Sequence, residues 1–283
     1  MKICLIKIRI NGIIILARNI PRIYSYSLEK NMPRFFVRQE RIDNGIVTLT
    51  GDDAHHIARS LRMAVGESIT VCDMQANEYE CRIIEFEDDA VVRAEILSAR
   101  RSDTEPPLKI TLFQALSKGD KLDTVIQKAV ECGVWRIVPF ESERCVVKLK
   151  AEAEDRKTDR RRRIAAEAAK QCGRSILPDV TATVSFERAL QMAGESQIGL
   201  FCYEGDGTLA LGRVLEQRLV ADAEGRYPDV AVVIGSEGGF SIAEAELAKS
   251  SGLLPIGLGK RILRTETAPV FALSCIVCKA ELS

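Results

Sequence analysis

Residues 230–268 constrain the fold of this chain more than any other stretch. Two short apolar runs, 230–234 and 253–258, are bounded by glycine and rich in residues that favour β-structure, so they predict buried parallel strands. Ser241 and Glu244 have the spacing of a capping box, which predicts that a helix begins between these strands. The order strand, helix, strand predicts an α/β fold in which the loops after the two strands lie side by side.

Both loops are rich in glycine, and we expect them to hold a flat ligand such as an adenosyl group. Glycine has no Cβ atom, so the backbone can approach a ligand and offer its N–H and C=O groups directly. The expected binding residues are Gly235, Gly238, Gly239, Leu258, Gly259, Ile262 and Leu263. The pattern is neither the dinucleotide fingerprint nor a P-loop, which disfavours a nicotinamide-dependent enzyme. A tight strand-to-helix turn without a ligand is the alternative.

Charged residues accompany both loops. Glu237 lies in the first loop, and Arg264 and Glu266 lie in the second. Loops at the carboxyl ends of parallel strands are where ligands bind in such sheets, so these charges favour a functional site. The alternative is an ion pair that only holds the loops in place.

The sequences IGSEGGF at 234–240 and LGKRILRTETA at 258–268 resemble the two C-terminal signatures of the ribosomal RNA small subunit methyltransferase E family, which belongs to the SPOUT class. Similar segments also lie at 32–37, 52–67, 114–148 and 167–174. The resemblance therefore covers residues 32–283. One departure is Ser236, where the family more often has proline.

The resemblance implies a fold, an activity and partners. The fold is expected to be α/β, with a SPOUT-type parallel sheet and a C-terminal trefoil knot over 104–283, preceded by a small PUA-like β-barrel over 32–103 that binds RNA. The implied activity is methylation of N3 of a uridine in 16S ribosomal RNA, with S-adenosyl-L-methionine as the cofactor. The implied substrate is this RNA or the small ribosomal subunit. A cytoplasmic homodimer is expected, and the apolar last helix could supply either its interface or ordinary core.

The implied reaction assigns roles to the charged residues of the loops. N3 of uridine is a poor nucleophile until its proton leaves, so catalysis needs positioning together with a base or an anion-stabilising group. Arg264 offers a planar fork of donors to a uracil carbonyl or to the developing anion. Glu266 or Glu237 could accept the proton, and the sequence does not choose between them. Because N3 lies on the Watson–Crick edge, the base must be unpaired or extruded.

Candidate RNA-binding residues lie in two regions. In the first domain they are Arg34, Arg38, His56, Arg59 and Arg62, of which the last three fall near one face of a predicted helix. The alternative for that helix is an ordinary solvated face.

The second region is the end of a long predicted helix, where the resemblance places Gln171 and Arg174 near the active site. In the same helix, the run 160–163 consists of four arginines. Four consecutive residues span all faces of a helix, so a solvated charged surface and RNA contact both remain open for this run.

The remaining elements follow from periodicity and turn residues. In the first domain, strands are predicted at 35–37, 46–49, 68–72, 79–86 and 90–97, with a helix over 52–63. A charged linker containing proline follows at 100–107. Further strands are predicted at 110–113, 136–140 and 198–203, and helices at 120–132, 152–172, 241–251 and 267–282.

Composition narrows the functional classes. The 283 residues include 40 basic and 40 acidic side chains, so RNA binding must depend on local patches.

Residues 1–31 are basic and precede the family-like sequence, which predicts an upstream extension; a basic arm that touches RNA is the alternative. The sequence contains no run of about 20 apolar residues, so it predicts no membrane helix. The nine cysteines are scattered, and Cys275 and Cys278 lack a second pair at zinc spacing, so we expect no metal site.

Two other classes of function remain open. One is a PUA-type RNA-binding protein without catalysis. The other is a SPOUT methyltransferase that acts on a different RNA or on a ribose 2′-hydroxyl. Stabilisation by S-adenosylmethionine separates an enzyme from the first class, and the identity of the methylated nucleoside separates it from the second.

Overall fold

The structure is a computed structural model that describes residues 6–10, 13–17, 32–88, 90–148 and 151–282. The chain divides into two compact units, 1–32 and 33–283. In the first unit, β1 (Ile6–Ile10) pairs antiparallel with β2 (Ile13–Ala17). The prediction that residues 1–31 form an upstream extension falls largely outside the described residues and stays a prediction.

The second unit begins with a six-stranded sheet that has its own apolar core. Its strands are β3 (Arg34–Phe36), β4 (Ile42–Asp43), β5 (Ile46–Thr50), β6 (Ser68–Cys72), β7 (Asn77–Glu87) and β8 (Val91–Arg101). The order is β3-β6-β7-β8-β5-β4. The predicted strands are confirmed, although β7 and β8 form a longer, bulged hairpin than expected, and β8 takes up the first residues of the predicted linker.

The helix predicted over 52–63 is shorter and less regular than expected. α1 (Asp52–His55) passes directly into a π-helical turn, His56–Ser60. Arg62 then adopts φ +52°, a left-handed conformation that ends the helical path. Ile57 is fully buried, so this segment packs on the core of the sheet through one face.

The second sheet contains the strands of the predicted α/β domain. They are β9 (Ile110–Ala115), β10 (Arg136–Glu141), β11 (Asp179–Val180), β12 (Val184–Ser185), β13 (Ile198–Cys202), β14 (Leu209–Ala210), β15 (Val230–Ile234) and β16 (Leu254–Gly257). The order is β11-β10-β9-β15-β13-β16-β14, β12 pairs with β10, and every pairing is parallel. β15 and β16 are not neighbours in the sheet, because β13 lies between them.

Six helices accompany this sheet in the described part of the chain. They are α2 (Lys121–Glu131), α3 (Ala151–Cys172), α4 (Phe186–Gly194), α5 (Leu211–Arg218), α6 (Ile242–Ser250) and α7 (Ala268–Glu281). The predicted capping box is present at α6, where Ser241 and Glu244 bond each other's backbone N–H groups. The sequence did not predict α4 and α5. The knot implied by the resemblance stays a prediction.

The last helix is in part ordinary core, one of the two alternatives that the sequence left open. Leu273 and Ile276 on α7 are fully buried in the core of the large sheet. Phe271 lies on another face of the helix and is 38% exposed. Part of the apolar stripe is therefore ordinary core, and the role of the exposed part in a dimer stays a prediction.

Candidate active site at the carboxyl edge of the sheet

Parallel pairing brings the carboxyl ends of the strands to one edge of the large sheet, where the loops after β9, β10, β13, β15 and β16 meet. Although β15 and β16 are not adjacent, the loops that follow them are in direct contact. The Thr265 hydroxyl donates a hydrogen bond to the carbonyl of Gly235 over 2.7 Å. The two glycine-rich loops are therefore brought together, as predicted, through a contact that the sequence did not reveal.

Gln114, at the end of β9, completes this junction. Its Nε2 group donates to Thr265 Oγ1 at 3.1 Å and lies 3.4 Å from the Gly235 carbonyl. Thr265 gives its proton to Gly235, so it accepts from Gln114, and this fixes the orientation of the amide. Both side chains are buried. The end of β9 and the two glycine-rich loops, which are distant in sequence, are thus fastened at one point, directly before Glu266.

The glycines of the first loop are explained in part by contacts within the protein. A Cβ atom on Gly235 would lie 3.0 Å from the Phe240 ring, and one on Gly238 would lie 3.0 Å from Arg144 Cβ. Gly239 has φ +63°, which favours glycine on conformational grounds. The tight turn that we considered as the alternative is therefore present, and the glycine pattern alone does not require a ligand.

The loop after β10 clamps this turn, a feature that the sequence did not indicate. Arg144 Nη1 donates to the Gly238 carbonyl at 3.1 Å, and Ser236 Oγ donates to the Arg144 carbonyl at 3.4 Å. Serine in place of the more usual proline therefore adds a contact. Phe240 anchors the other end of the turn, because its ring lies 4.4 Å from that of Phe201 within a buried aromatic cluster.

Glu237 is already engaged. Its Oε1 atom accepts from Lys121 Nζ at 2.7 Å and from the Lys118 backbone N–H at 3.3 Å. Partial burial raises the pKa of Glu237, but the bonds from Lys121 and the backbone outweigh this effect and bring the pKa below its ordinary value. The residue is thus an ionised, paired carboxylate that holds the turn against the start of α2.

Arg264 and Glu266 differ sharply in exposure. The Arg264 side chain is 84% exposed and the Glu266 side chain 24%. Arg264 Nη1 lies 4.0 Å from Glu266 Oε1. At that distance and exposure the ion pair contributes little to stability. The backbone carbonyl of Arg264, in contrast, accepts hydrogen bonds from the N–H groups of Thr267 and Ala268, where α7 begins. The backbone of Arg264 is therefore held while its guanidinium extends into solvent.

Three buried side-chain oxygen atoms of the described residues have no hydrogen-bond partner, and all three belong to this edge. They are Gln114 Oε1, Ser117 Oγ and Glu266 Oε2. Most buried polar atoms in proteins are paired, so orphaned atoms concentrated at one edge of the sheet indicate a site that interacts with another molecule. An adenosyl cofactor carries amino and hydroxyl donors that suit such acceptors, so the residues present fit it.

The expected cofactor residues of the second loop are placed differently from one another. Leu258 and Leu263 are partly buried and pack against the core of the large sheet. Ile262 is 83% exposed, and Gly259 has φ +106° with open space where a Cβ atom would be. The loop thus offers backbone and apolar side chains at the carboxyl edge, while Ile262 makes little contact within the described chain.

The structure removes one candidate from the predicted RNA-binding set of the first domain. Arg34 is largely buried and donates to Glu78 Oε1 at 2.8 Å and to Cys72 Sγ at 3.0 Å. This guanidinium holds the sheet together, so its expected RNA contact is not compatible with the structure. The other four candidates, Arg38, His56, Arg59 and Arg62, are exposed.

Arg174 is also corrected. It is 3% exposed and donates to both the Glu105 carboxylate, at 2.6 Å, and the carbonyl of Val134, also at 2.6 Å. Its guanidinium therefore fixes the linker between the two sheets and is not available to RNA. Gln171, one turn earlier, is exposed.

The arginine run of α3 has mixed roles. Arg160 pairs with Asp123, Arg161 is buried against Glu154, and Arg162 donates to the Val180 carbonyl. Three of the four arginines are thus used within the protein, which favours the structural alternative for most of this run.

No metal-binding cluster is found in the described ranges, and none of the helices described is long and apolar enough to cross a membrane. Cys275 and Cys278 lie on α7 without other metal-ligating side chains in a cluster. The expectation of no metal site stays a prediction for the whole chain.

Comparison with known proteins agrees with this geometry. Residues 104–277 match the RNA methyltransferase domain family, and residues 49–93 match the RNA methyltransferase PUA domain family. Ribosomal RNA small subunit methyltransferase E of Bacillus subtilis is 33% identical over 254 residues, which cover 89% of this chain and 98% of that protein.

Solved structures give the same result. One is a ribosomal RNA small subunit methyltransferase E from Neisseria gonorrhoeae bound to S-adenosyl methionine, with a TM-score of 0.75 and 32% identity over 87% of this chain and 97% of that one. Another is a putative methyltransferase from Legionella pneumophila in complex with the same cofactor, with a TM-score of 0.75 and 33% identity over 87% and 96%. With both domains matched in order over most of its length, the chain belongs to the ribosomal RNA small subunit methyltransferase E family.

Proposed function

We propose that this protein transfers a methyl group from S-adenosyl-L-methionine to N3 of a uridine in 16S ribosomal RNA. The observation that carries the proposal is the junction of Gln114, Thr265 and Gly235, which fastens the loop bearing Arg264 and Glu266 at the carboxyl edge, beside buried oxygen atoms that lack partners. Family membership and the cofactor bound to two solved relatives support it.

The cofactor would lie against the two loops at this edge. Residues 235–239 and 258–263 offer backbone groups and partly buried leucines, a suitable surface for an adenosyl group. When bound, the cofactor supplies an electrophilic methyl group on a sulfonium, which needs no further activation. The protein must then orient the uracil and help its N3 proton to leave.

Arg264 is the residue that we assign to the uracil. Its side chain is 84% exposed, so it can reach a bound RNA base without breaking a strong internal contact. Its charge would be unfavourable directly against a sulfonium, whereas a uracil carbonyl or the developing anion would accept from its planar fork. Removing such a donor costs about a hundredfold or more in turnover.

Between the two candidate bases, the structure favours Glu266. Glu237 is paired with Lys121, and its lowered pKa makes it a weaker proton acceptor. Glu266 has one oxygen atom without a partner and only a long contact with Arg264. We therefore assign proton acceptance, directly or through water, to Glu266, and the positioning of the first loop to Glu237.

The remaining assignments concern partners and location. We propose that the domain over 32–103 contacts ribosomal RNA through Arg38, His56, Arg59 and Arg62, with Gln171 on α3, and that residues 104–283 perform catalysis. The exposed side of α7 around Phe271 would pair two copies in a homodimer. The enzyme would act in the cytoplasm on 16S RNA or the small ribosomal subunit.

One comparison tests the proposal. The wild-type protein should bind S-adenosylmethionine in a calorimetric titration and methylate 16S RNA, whereas Arg264→Ala should keep the affinity and lose the methyl transfer. Joint loss of cofactor affinity, melting temperature and activity in the variant would mean that Arg264 only holds the loop. Cofactor binding without transfer by the wild-type protein to RNA or subunits would contradict the proposed function.

A further inference from the structure

We propose that Lys170 is a positioning residue for the RNA substrate: it holds the RNA-contacting helical segment of the six-stranded domain, residues 52–62, at the end of α3. It thereby fixes where bound RNA lies relative to the catalytic edge of the large sheet. This inference rests on the proposed function, because it concerns the same RNA.

A single ammonium group contacts the six-stranded domain twice. Lys170 Nζ lies 3.1 Å from Asp53 Oδ1 and 5.5 Å from the centre of the Phe35 ring. The Lys170 and Asp53 side chains are only 22% and 32% exposed, so the pair is better shielded from water than a typical surface ion pair. A further contact with Glu167 at 3.5 Å comes from α3 itself.

Both partners of Lys170 are direct neighbours of the residues assigned to RNA. Asp53 lies in α1, which continues without interruption into the π-helical turn that bears His56 and Arg59. The Phe35 ring packs edge-on against the His56 ring at 6.4 Å. Moving Asp53 or Phe35 relative to α3 would therefore move the RNA-contacting segment with it.

The linker supplies a separate attachment. Glu105 is held by Arg174 and by the backbone N–H of Ser175, and Thr104 Oγ1 donates to the Gly173 carbonyl at 3.1 Å. These contacts fix the point at which the chain passes between the sheets. One fixed point still allows rotation about it. Lys170 opposes this rotation, together with Phe36 of β3, which packs against the core of the large sheet.

α3 transmits the position to the catalytic edge. It has 22 residues, equivalent to about 33 Å of helix, and packs beside α2, with Arg160 paired to Asp123. α2 begins at Lys121, which binds Glu237 in the first glycine-rich loop. The six-stranded domain is thus attached near one end of a stiff helix, and the middle of that helix pairs through Arg160 with α2, the helix that binds Glu237 through Lys121.

The test is a charge exchange measured with small ribosomal subunits from a strain that lacks this methylation. Lys170→Glu and Asp53→Lys should each raise KM for the subunits about fivefold, the effect of losing one partly shielded ion pair. Turnover at saturating RNA and affinity for S-adenosylmethionine should stay at wild-type values. The double variant should recover most of the lost affinity, which a merely local packing defect would not allow. Glu167→Gln is the matched control, because it removes a charge beside Lys170 without touching the other domain.

Several results would overturn the inference. Unchanged KM in both single variants, no recovery in the double variant, or an equal effect of Glu167→Gln would each do so. If Lys170→Glu lowers the melting temperature strongly, Lys170→Met keeps the apolar stem and must still raise KM. The wild-type protein in the same assay tests the proposed function separately. If the wild type transfers the methyl group and the variants have the same KM as the wild type, only the role of Lys170 is refuted.

Discussion

Replacing Thr265 by valine removes the hydroxyl that joins the two catalytic loops while keeping the shape of the side chain. The hydroxyl makes two hydrogen bonds, to the Gly235 carbonyl at 2.7 Å and from Gln114 Nε2 at 3.1 Å, and the residue is 6% exposed. Each such bond contributes about 1 kcal/mol net, so the free energy of unfolding should fall by about 2 kcal/mol. The Gly235 carbonyl keeps a longer contact with Gln114 at 3.4 Å, which limits the penalty.

The loss should be visible in stability and in catalysis. For a chain of 283 residues, 2 kcal/mol lowers the melting temperature by roughly 3–4 °C. Because Arg264 and Glu266 flank Thr265, release of the loop should also lower single-turnover methyl transfer by roughly tenfold or more, since small misplacements of reacting groups are costly. Thr265→Ser is the control: it loses a buried methyl group but keeps the hydroxyl, so it should be less stable yet retain activity. A valine variant that melts and turns over like the wild type would refute the role of this junction.

Three further predictions concern neighbouring contacts. Gly238→Ala places a Cβ atom 3.0 Å from Arg144, so it should displace the clamp and weaken S-adenosylmethionine binding in a calorimetric titration; unchanged affinity would contradict this. The pKa of Glu237 is lowered in the folded state, so its pairing with Lys121 stabilises the protein above the unfolded pKa and is lost as pH falls through the folded one. Lys121→Met should therefore reduce the difference in melting temperature between neutral pH and about pH 3, where carboxylates become protonated. If this difference is as large in the variant as in the wild type, the pair has no effect on stability. Phe271→Glu should shift a homodimer towards the 31.3 kDa monomer in light scattering, and a monomeric wild type would remove the proposed interface.

Local patterns predicted much of the fold. The capping box at Ser241 and Glu244, the apolar run of β15 and the long charged pattern of α3 are encoded within a few residues, and the structure confirms each. Strand order is a different kind of information. The position of β13 between β15 and β16 depends on pairings between distant segments, and no local signal specifies it.

The same distinction between local patterns and contacts of distant segments explains which parts of the site could be predicted. Glycine and charge patterns identified both loops, whereas the junction of Gln114 and Thr265 joins residues 151 positions apart and could not be predicted from either segment. Arg34 is an RNA candidate in the sequence because it belongs to the expected RNA-binding domain, and Arg174 because the resemblance places the end of the long helix near the active site. Their partners Glu78 and Glu105 lie 44 and 69 positions away, and only the fold brings them together.

The central claim is the chemical identity of the product. Purified protein, S-adenosylmethionine and 16S RNA or small subunits from a strain lacking the gene can be incubated together, and the nucleosides of the RNA then analysed by mass spectrometry. We expect N3-methyluridine with the wild-type protein and almost none with Arg264→Ala. A methyl group on a ribose 2′-hydroxyl, on another base, or on no nucleoside at all would contradict it.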